Sequence, residues 1–124
     1  MAILYMAGRV TRHPVILRDA DELGAWLKEL AAEIDMHEVS LHLEPYAHWP
    51  NGAPSAVLFI EESSITAHTY PEEDFIELIL HSCKVIPGVQ RVAMTIQEKL
   101  GLRVAAYHHL GNANWRELAK EVRT

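Results

Sequence analysis

Four short apolar runs follow one another between residues 39 and 80 with turn residues and no helical period between them, and this succession restricts the possible folds severely. Val39, Leu41 and Leu43 alternate with polar residues, and Ala56 to Ile60 is a compact apolar run. Ile65 to Tyr70 alternates again, and Phe75 to Leu80 follows Pro71. Period-two patterning of this kind marks β-strands. Strands joined by tight turns are antiparallel neighbours, because a parallel pair needs a crossover of roughly a dozen residues or more. The segment Trp49-Pro50-Asn51-Gly52-Ala53-Pro54 supplies one such turn, with Asn-Gly at its centre.

The flanks of this block carry a different period. Asp19 has the character of an N-cap, and Glu22 completes a capping box. Leu23, Trp26, Leu27, Leu30 and Ile34 then recur at helical spacing on a helix of about four turns. Val89, Val92, Ala93, Ile96 and Leu100 outline a second amphipathic helix, with Gly101 as its terminating residue. Met1 to Thr11 and Leu102 to Tyr107 read as further strands, and Trp115, Leu118, Ala119 and Val122 as a short last helix. The expected order is β-α-β-β-β-β-α-β-α in a single domain over residues 1–124. Singly interspersed helices on a meandering sheet give the α+β class: a two-layer sandwich with an antiparallel sheet and helices on one face. The bare face of such a sheet invites a second copy, so a homodimer is expected.

Composition narrows the functional classes. The 124 residues carry a net charge of −6, unevenly placed. Residues 1–62 hold ten acids against four Lys/Arg, whereas residues 63–124 hold seven of each. Neither half offers the basic face that a phosphate backbone requires, so nucleic acid is not an expected partner. The acidic half suits a cationic ligand. No apolar run approaches the ~18–20 residues that span a bilayer, so no membrane association is expected. One cysteine, Cys83, excludes an internal disulfide and fits a reducing cytoplasm. No Cys/His cluster has zinc spacing, and no glycine-rich phosphate loop is present, so neither a metal nor a phosphate-anchored cofactor is expected.

The chemistry concentrates in Glu61-Glu62-Ser63-Ser64-Ile65-Thr66-Ala67-His68-Thr69-Tyr70-Pro71-Glu72. A serine hydroxyl can attack the carbonyl of the residue before it and convert that amide to an ester. β-Elimination of the ester cuts the chain and leaves dehydroalanine, which rearranges and hydrolyses to a pyruvoyl group. Such a carbonyl forms a Schiff base with an amine and acts as an electron sink, as pyridoxal phosphate does. A Glu-Ser dipeptide alone signals none of this, since serine near a turn is usually a turn former.

The longer motif is more specific. Glu62-Ser63-x-x-Thr66-x-His68-Thr69-Tyr70-Pro71-Glu72 resembles the processing and active-site motif of the prokaryotic S-adenosylmethionine decarboxylases, Glu-Ser-His-(aliphatic)-Thr-x-His-Thr-Trp-Pro-Glu. Trp49-Pro50-Asn51-Gly52-Ala53-Pro54-Ser55 resembles an upstream element of the family, and His81-Ser82-Cys83-Lys84 resembles its strand ending in Thr-Cys-Gly. The resemblance implies self-cleavage between Glu62 and Ser63, giving chains 1–62 and 63–124, with Ser63 becoming the pyruvoyl group. It implies no metal and no pyridoxal phosphate.

Carried over residue by residue, the resemblance makes His68 a processing residue, Ser55 its support and Cys83 the proton donor after carbon dioxide leaves. Trp49 and Tyr70 stand where aromatics stack on adenine, and Glu72 where a carboxylate receives the ribose. Three positions depart from the pattern: Ser64 replaces histidine, Tyr70 replaces tryptophan, and Gly8-Arg9-Val10 stands for Gly-Arg-His. The implied activity is decarboxylation of S-adenosylmethionine for polyamine (spermidine) synthesis by a homodimer of processed protomers. Two alternatives stay open: the same machinery acting on arginine or ornithine, and an unprocessed, non-catalytic paralogue serving as a binding subunit.

Overall fold

The structure, a computed structural model, describes residues 1–48, 53–61, 63–83, 85–86, 88–111 and 113–121. The described residues form six strands and three α-helices in the expected order: β1 Ala2–Arg9, α1 Ala20–Glu33, β2 Glu38–His48, β3 Ala53–Ile60, β4 Ser63–Tyr70, β5 Phe75–Ser82, α2 Val89–Leu100, β6 Arg103–Gly111 and α3 Trp115–Glu121. Two short 3₁₀ turns, Pro14–Leu17 and Pro71–Glu73, were not anticipated, although each begins at a proline that presets the first helical φ. Of the turn expected over residues 49–54, residues 49–52 lie outside the described residues, and Ala53 and Pro54 belong to β3 rather than to a turn.

The α+β sandwich is present as expected. All strand pairs are antiparallel, in the order β2-β3-β4-β5-β1-β6. β2 to β5 form the meander that their short connections dictate, and β1 then inserts between β5 and β6. Gly8 sits at a bulge in the β1–β6 ladder, where a methyl group would collide with the Arg103 carbonyl. That close approach explains the glycine.

Local chemistry sets the helix ends. The Asp19 side chain accepts from the Glu22 backbone N–H at 3.0 Å, satisfying a donor that the first turn of α1 leaves unpaired. Gly101 closes α2 with φ 52°, a left-handed conformation that residues with a Cβ avoid.

One continuous core lies between the sheet and the helices. Leu23, Trp26, Leu27 and Leu30 of α1, with Val89, Val92, Ala93, Ile96 and Leu100 of α2, pack on the inward residues of the strands. Those inward residues are Leu4 and Met6 of β1, Leu58 and Ile60 of β3, Ile65 and Ala67 of β4, and Ile76, Leu78 and Leu80 of β5. The outward residues form the other face. Tyr5, Val57, Thr66, His68, Tyr70, Glu77 and Ile79 are half-exposed there, and Phe59 is 46% exposed.

Candidate active site

β4 carries Ser63, His68 and Tyr70 of the candidate residues, and its pleat divides them between the two faces. Ser63, Ile65, Ala67 and Thr69 point toward the helices, and Ser64, Thr66, His68 and Tyr70 point outward. Ser63 is the first residue of β4. It pairs with Ile60 across β3, so only two residues of sequence, 61 and 62, separate the two strands. On the other side Ser63 pairs with Ser82, the last residue of β5. The half-buried Ser63 hydroxyl donates to Ser82 Oγ at 3.1 Å, and Ser82 is only 3% exposed. Cys83, a half-buried free thiol, directly follows Ser82. Ser63 and Cys83, 20 residues apart in sequence, thus lie at the same end of the β4–β5 pair.

Ser55 and His68 also meet, but elsewhere. They are cross-strand partners on the outward face, with Ser55 Oγ 2.9 Å from His68 Nδ1. Buried Thr69 fixes this register by donating its hydroxyl to the Pro54 carbonyl at 2.6 Å. Five residues separate His68 from Ser63, roughly 16 Å at strand rise, and the odd spacing puts them on opposite faces. No side-chain rotation within one protomer can bring the His68 imidazole to the Ser63 hydroxyl.

A third cluster lies beyond His68. Pro71–Glu73 turns the chain from β4 into β5, and Asp74 completes the reversal in the left-handed region at φ 51°. This brings Tyr70 and Phe75 together edge to face, with ring centres 6.1 Å apart. The two rings, with Arg9, Glu72, Glu73 and Glu77, line an open depression of about 380 Å³. Arg9 donates its Nε–H to the Glu73 carbonyl at 3.3 Å, leaving Glu72 as an exposed acid beside the rings. Tyr70 and Glu72 therefore share one depression, whereas Trp49 and Glu62 lie outside the described residues.

Sequence reading missed Tyr5 and Glu77. Glu77 is the cross-strand partner of His68, and the Tyr5 hydroxyl donates to Glu77 Oε2 at 2.6 Å. A lone acid at an outward position of an otherwise apolar strand was the available signal. The Glu77 hydrogen bond, aided by burial and by the negative charge of Glu77, pushes the Tyr5 pKa from 10.0 up to about 12. Burial, then the charge of Glu77, also raises Tyr70.

Because the fold holds the Tyr5 proton more tightly than the unfolded chain does, this bond stabilises the protein fully below about pH 10. Its contribution is lost as pH rises from about 10 to about 12. A phenolate absorbance titration will therefore show a late tyrosine step near 12. Tyr5→Phe will delete that step and Glu77→Gln will move it down toward 10.0; a step unmoved in both variants would disprove the assignment.

The chain was also compared with known proteins. No curated protein matches the sequence. The structure is similar to the crystal structure of the adenosylmethionine decarboxylase from Aquifex aeolicus VF5, with a TM-score of 0.66, 15% identity, and coverage of 92% of this chain and 91% of that one. At that identity the likeness speaks for the fold. The model of the S-adenosylmethionine decarboxylase family matches residues 7–111, a span containing Ser55, Ser63, His68, Glu72 and Cys83 and running from β1 to the end of β6. On the extent of that match, the chain belongs to the S-adenosylmethionine decarboxylase family.

Proposed function

We propose that the chain is a pyruvoyl-dependent decarboxylase that makes its carbonyl from Ser63 and acts on S-adenosylmethionine, supplying an aminopropyl donor for polyamine synthesis. The observation that carries this reading is the hydrogen bond of the Ser63 hydroxyl to Ser82, at the strand end where Cys83 follows Ser82. Family membership supports the same reading.

The proposed processing balances without an added reagent other than water. Ser63 Oγ bonds to the Glu62 carbonyl carbon, the Glu62–Ser63 C–N bond breaks, and the hydroxyl proton ends on the freed nitrogen. Removal of the Ser63 α-proton then breaks Cβ–Oγ and releases the Glu62 carboxylate. Tautomerisation and addition of water expel ammonia and leave the pyruvoyl carbonyl at the start of β4. This carbonyl supplies the electron sink for decarboxylation. Cys83, beside the strand start, is suited to return a proton to the carbon that loses carbon dioxide. The aromatic and acidic depression at Tyr70, Phe75 and Glu72 suits a nucleoside bearing a positive charge.

The distance between the clusters makes a homodimer part of the proposal. His68 and the depression lie at the opposite end of β4 from Ser63, so one protomer cannot complete the site. A twofold axis running across the strands at the level of Ile65 and Thr66, between two sheets stacked on their outward faces, lays His68 of the partner subunit against the backbone at the start of β4, on the face opposite the Ser63 hydroxyl, where it suits the α-proton removal of the elimination step rather than the hydroxyl. The outward face fits such a contact: Val57, Phe59 and Ile79 give it apolar character, and His42 packs edge to face on Phe59 with ring centres 5.6 Å apart.

Intact-mass measurement of the purified protein tests the central claim. The expected result is two fragments that meet between Glu62 and Ser63, with the second bearing an N-terminal carbonyl. The Ser63→Ala variant is expected to stay whole at 14.0 kDa. Cutting that persists in Ser63→Ala would overturn the assignment of Ser63, and an uncut wild-type chain would favour the non-catalytic paralogue.

A further inference from the structure

We infer that Ser82 is the positioning partner of the processing nucleophile: its hydroxyl oxygen accepts the Ser63 O–H and holds Ser63 Oγ in a single rotamer for its attack on the preceding carbonyl. The inference rests on the reading of Ser63 as the self-processing residue and adds to it a residue on another strand.

Three observations support it. First, the contact is built into the sheet. Ser63 and Ser82 are direct cross-strand partners on the same face, in a ladder whose remaining pairs run from Ser64–His81 to Tyr70–Phe75. Their approach therefore follows from the register of the whole hairpin. Second, the direction of the hydrogen bond suits a nucleophile. Ser63 donates at 3.1 Å, which leaves both Oγ lone pairs free for the carbonyl carbon. A hydroxyl accepting from a neighbour would have one lone pair committed. Third, Ser82 is 3% exposed while Ser63 is half-buried, so water does not compete freely at the acceptor. A serine side chain otherwise distributes among three staggered rotamers, and a single buried acceptor selects one of them.

His68 cannot perform this task within the protomer, since it lies on the opposite face. Ser82 also differs from Cys83 in timing. Ser82 acts on the hydroxyl before the chain is cut, whereas Cys83 serves the finished enzyme. The step itself is the acyl shift described above, with the Ser63 proton ending on the released nitrogen and no further reactant consumed.

Two isosteric replacements separate positioning from packing. Thr and Val have nearly the same shape and both favour strands, but only Thr keeps the hydroxyl. Purified, uncut protein is followed over time by intact mass. Ser82→Thr is expected to cut within a few-fold of the wild-type rate, and Ser82→Val about 10- to 100-fold more slowly, the scale of a misplaced reacting group. Thermal melting checks that both variants fold alike.

Hydroxylamine, which cleaves an ester at residues 62/63 and, among the amides, only Asn51-Gly52, whose fragments differ in mass, locates the step. If Ser82 promotes ester formation, hydroxylamine will not restore rapid cutting to Ser82→Val. Equal cutting rates in Ser82→Val and wild type would overturn the inference while leaving the role of Ser63 standing. Full rescue of Ser82→Val by hydroxylamine would overturn it as well, because the ester would then form without the Ser82 hydroxyl. If the wild-type chain is never cut, the processing reading itself fails, a result distinct from either.

Discussion

Ser63→Ala and His68→Ala chains, each expected to remain uncut when made alone, will yield cut protein when co-expressed. The expectation follows from the geometry of β4. Ser63 and His68 lie about 16 Å apart along one strand, so in the proposed dimer the histidine that serves a given serine comes from the other chain. In a mixed dimer with twofold symmetry one site receives both substitutions and is dead. The other combines the intact Ser63 of the His68→Ala chain with the intact His68 of the Ser63→Ala chain and is complete. With random pairing about half of the His68→Ala chains enter mixed dimers, so about half of them are cut and none of the Ser63→Ala chains are. The fragment masses identify the cut chain directly, because its second fragment carries the His68→Ala substitution. A mixture no more cut than its parents would show that processing is confined to one chain, and the stacked-sheet dimer would have to be abandoned.

The same geometry shows how far the sequence could be read. Elements set by neighbouring residues were legible: Asp19 caps α1, Gly101 ends α2, and each alternating run between residues 39 and 80 became a strand. The insertion of β1 between β5 and β6 was not, because no local pattern records which edge a distant strand will join. Motif order placed Ser55, Ser63, His68 and Cys83 in one site. The structure joins Ser55 to His68 and puts Ser63 at the strand end that Cys83 follows, but keeps these two places apart. The parity of β4 already contained that separation, since an odd spacing on a strand means opposite faces. The Ser63–Ser82 contact was beyond local reading. It depends on the β4–β5 register, which the Pro71–Glu73 turn and the left-handed Asp74 determine together.

A cut at the Glu62-Ser63 bond will leave the two fragments inseparable under native conditions. Residues 1–62 contribute β1, β2 and β3, and residues 63–124 contribute β4, β5 and β6, yet the sheet order is β2-β3-β4-β5-β1-β6. The fragments interleave: β4 and β5 stand between β3 and β1, and β1 stands between β5 and β6. Three of the five strand ladders among the described residues, β3–β4, β5–β1 and β1–β6, join one fragment to the other. Pulling the fragments apart also opens the core, where Leu4, Met6 and Leu58 of the first pack with Ile65, Leu78 and Leu80 of the second. Each such side chain contributes about 1.5–3 kcal/mol when buried, whereas the cut itself removes only a two-residue connection. The fragments are therefore expected to co-elute in gel filtration at neutral pH, to unfold in one cooperative transition, and to separate only in denaturant. Leu78→Ala, which leaves a cavity between fragments at a cost of about 2–5 kcal/mol, will lower the denaturant midpoint without altering the position of the cut. Fragments that separate in native buffer would contradict this strand order for the processed protein.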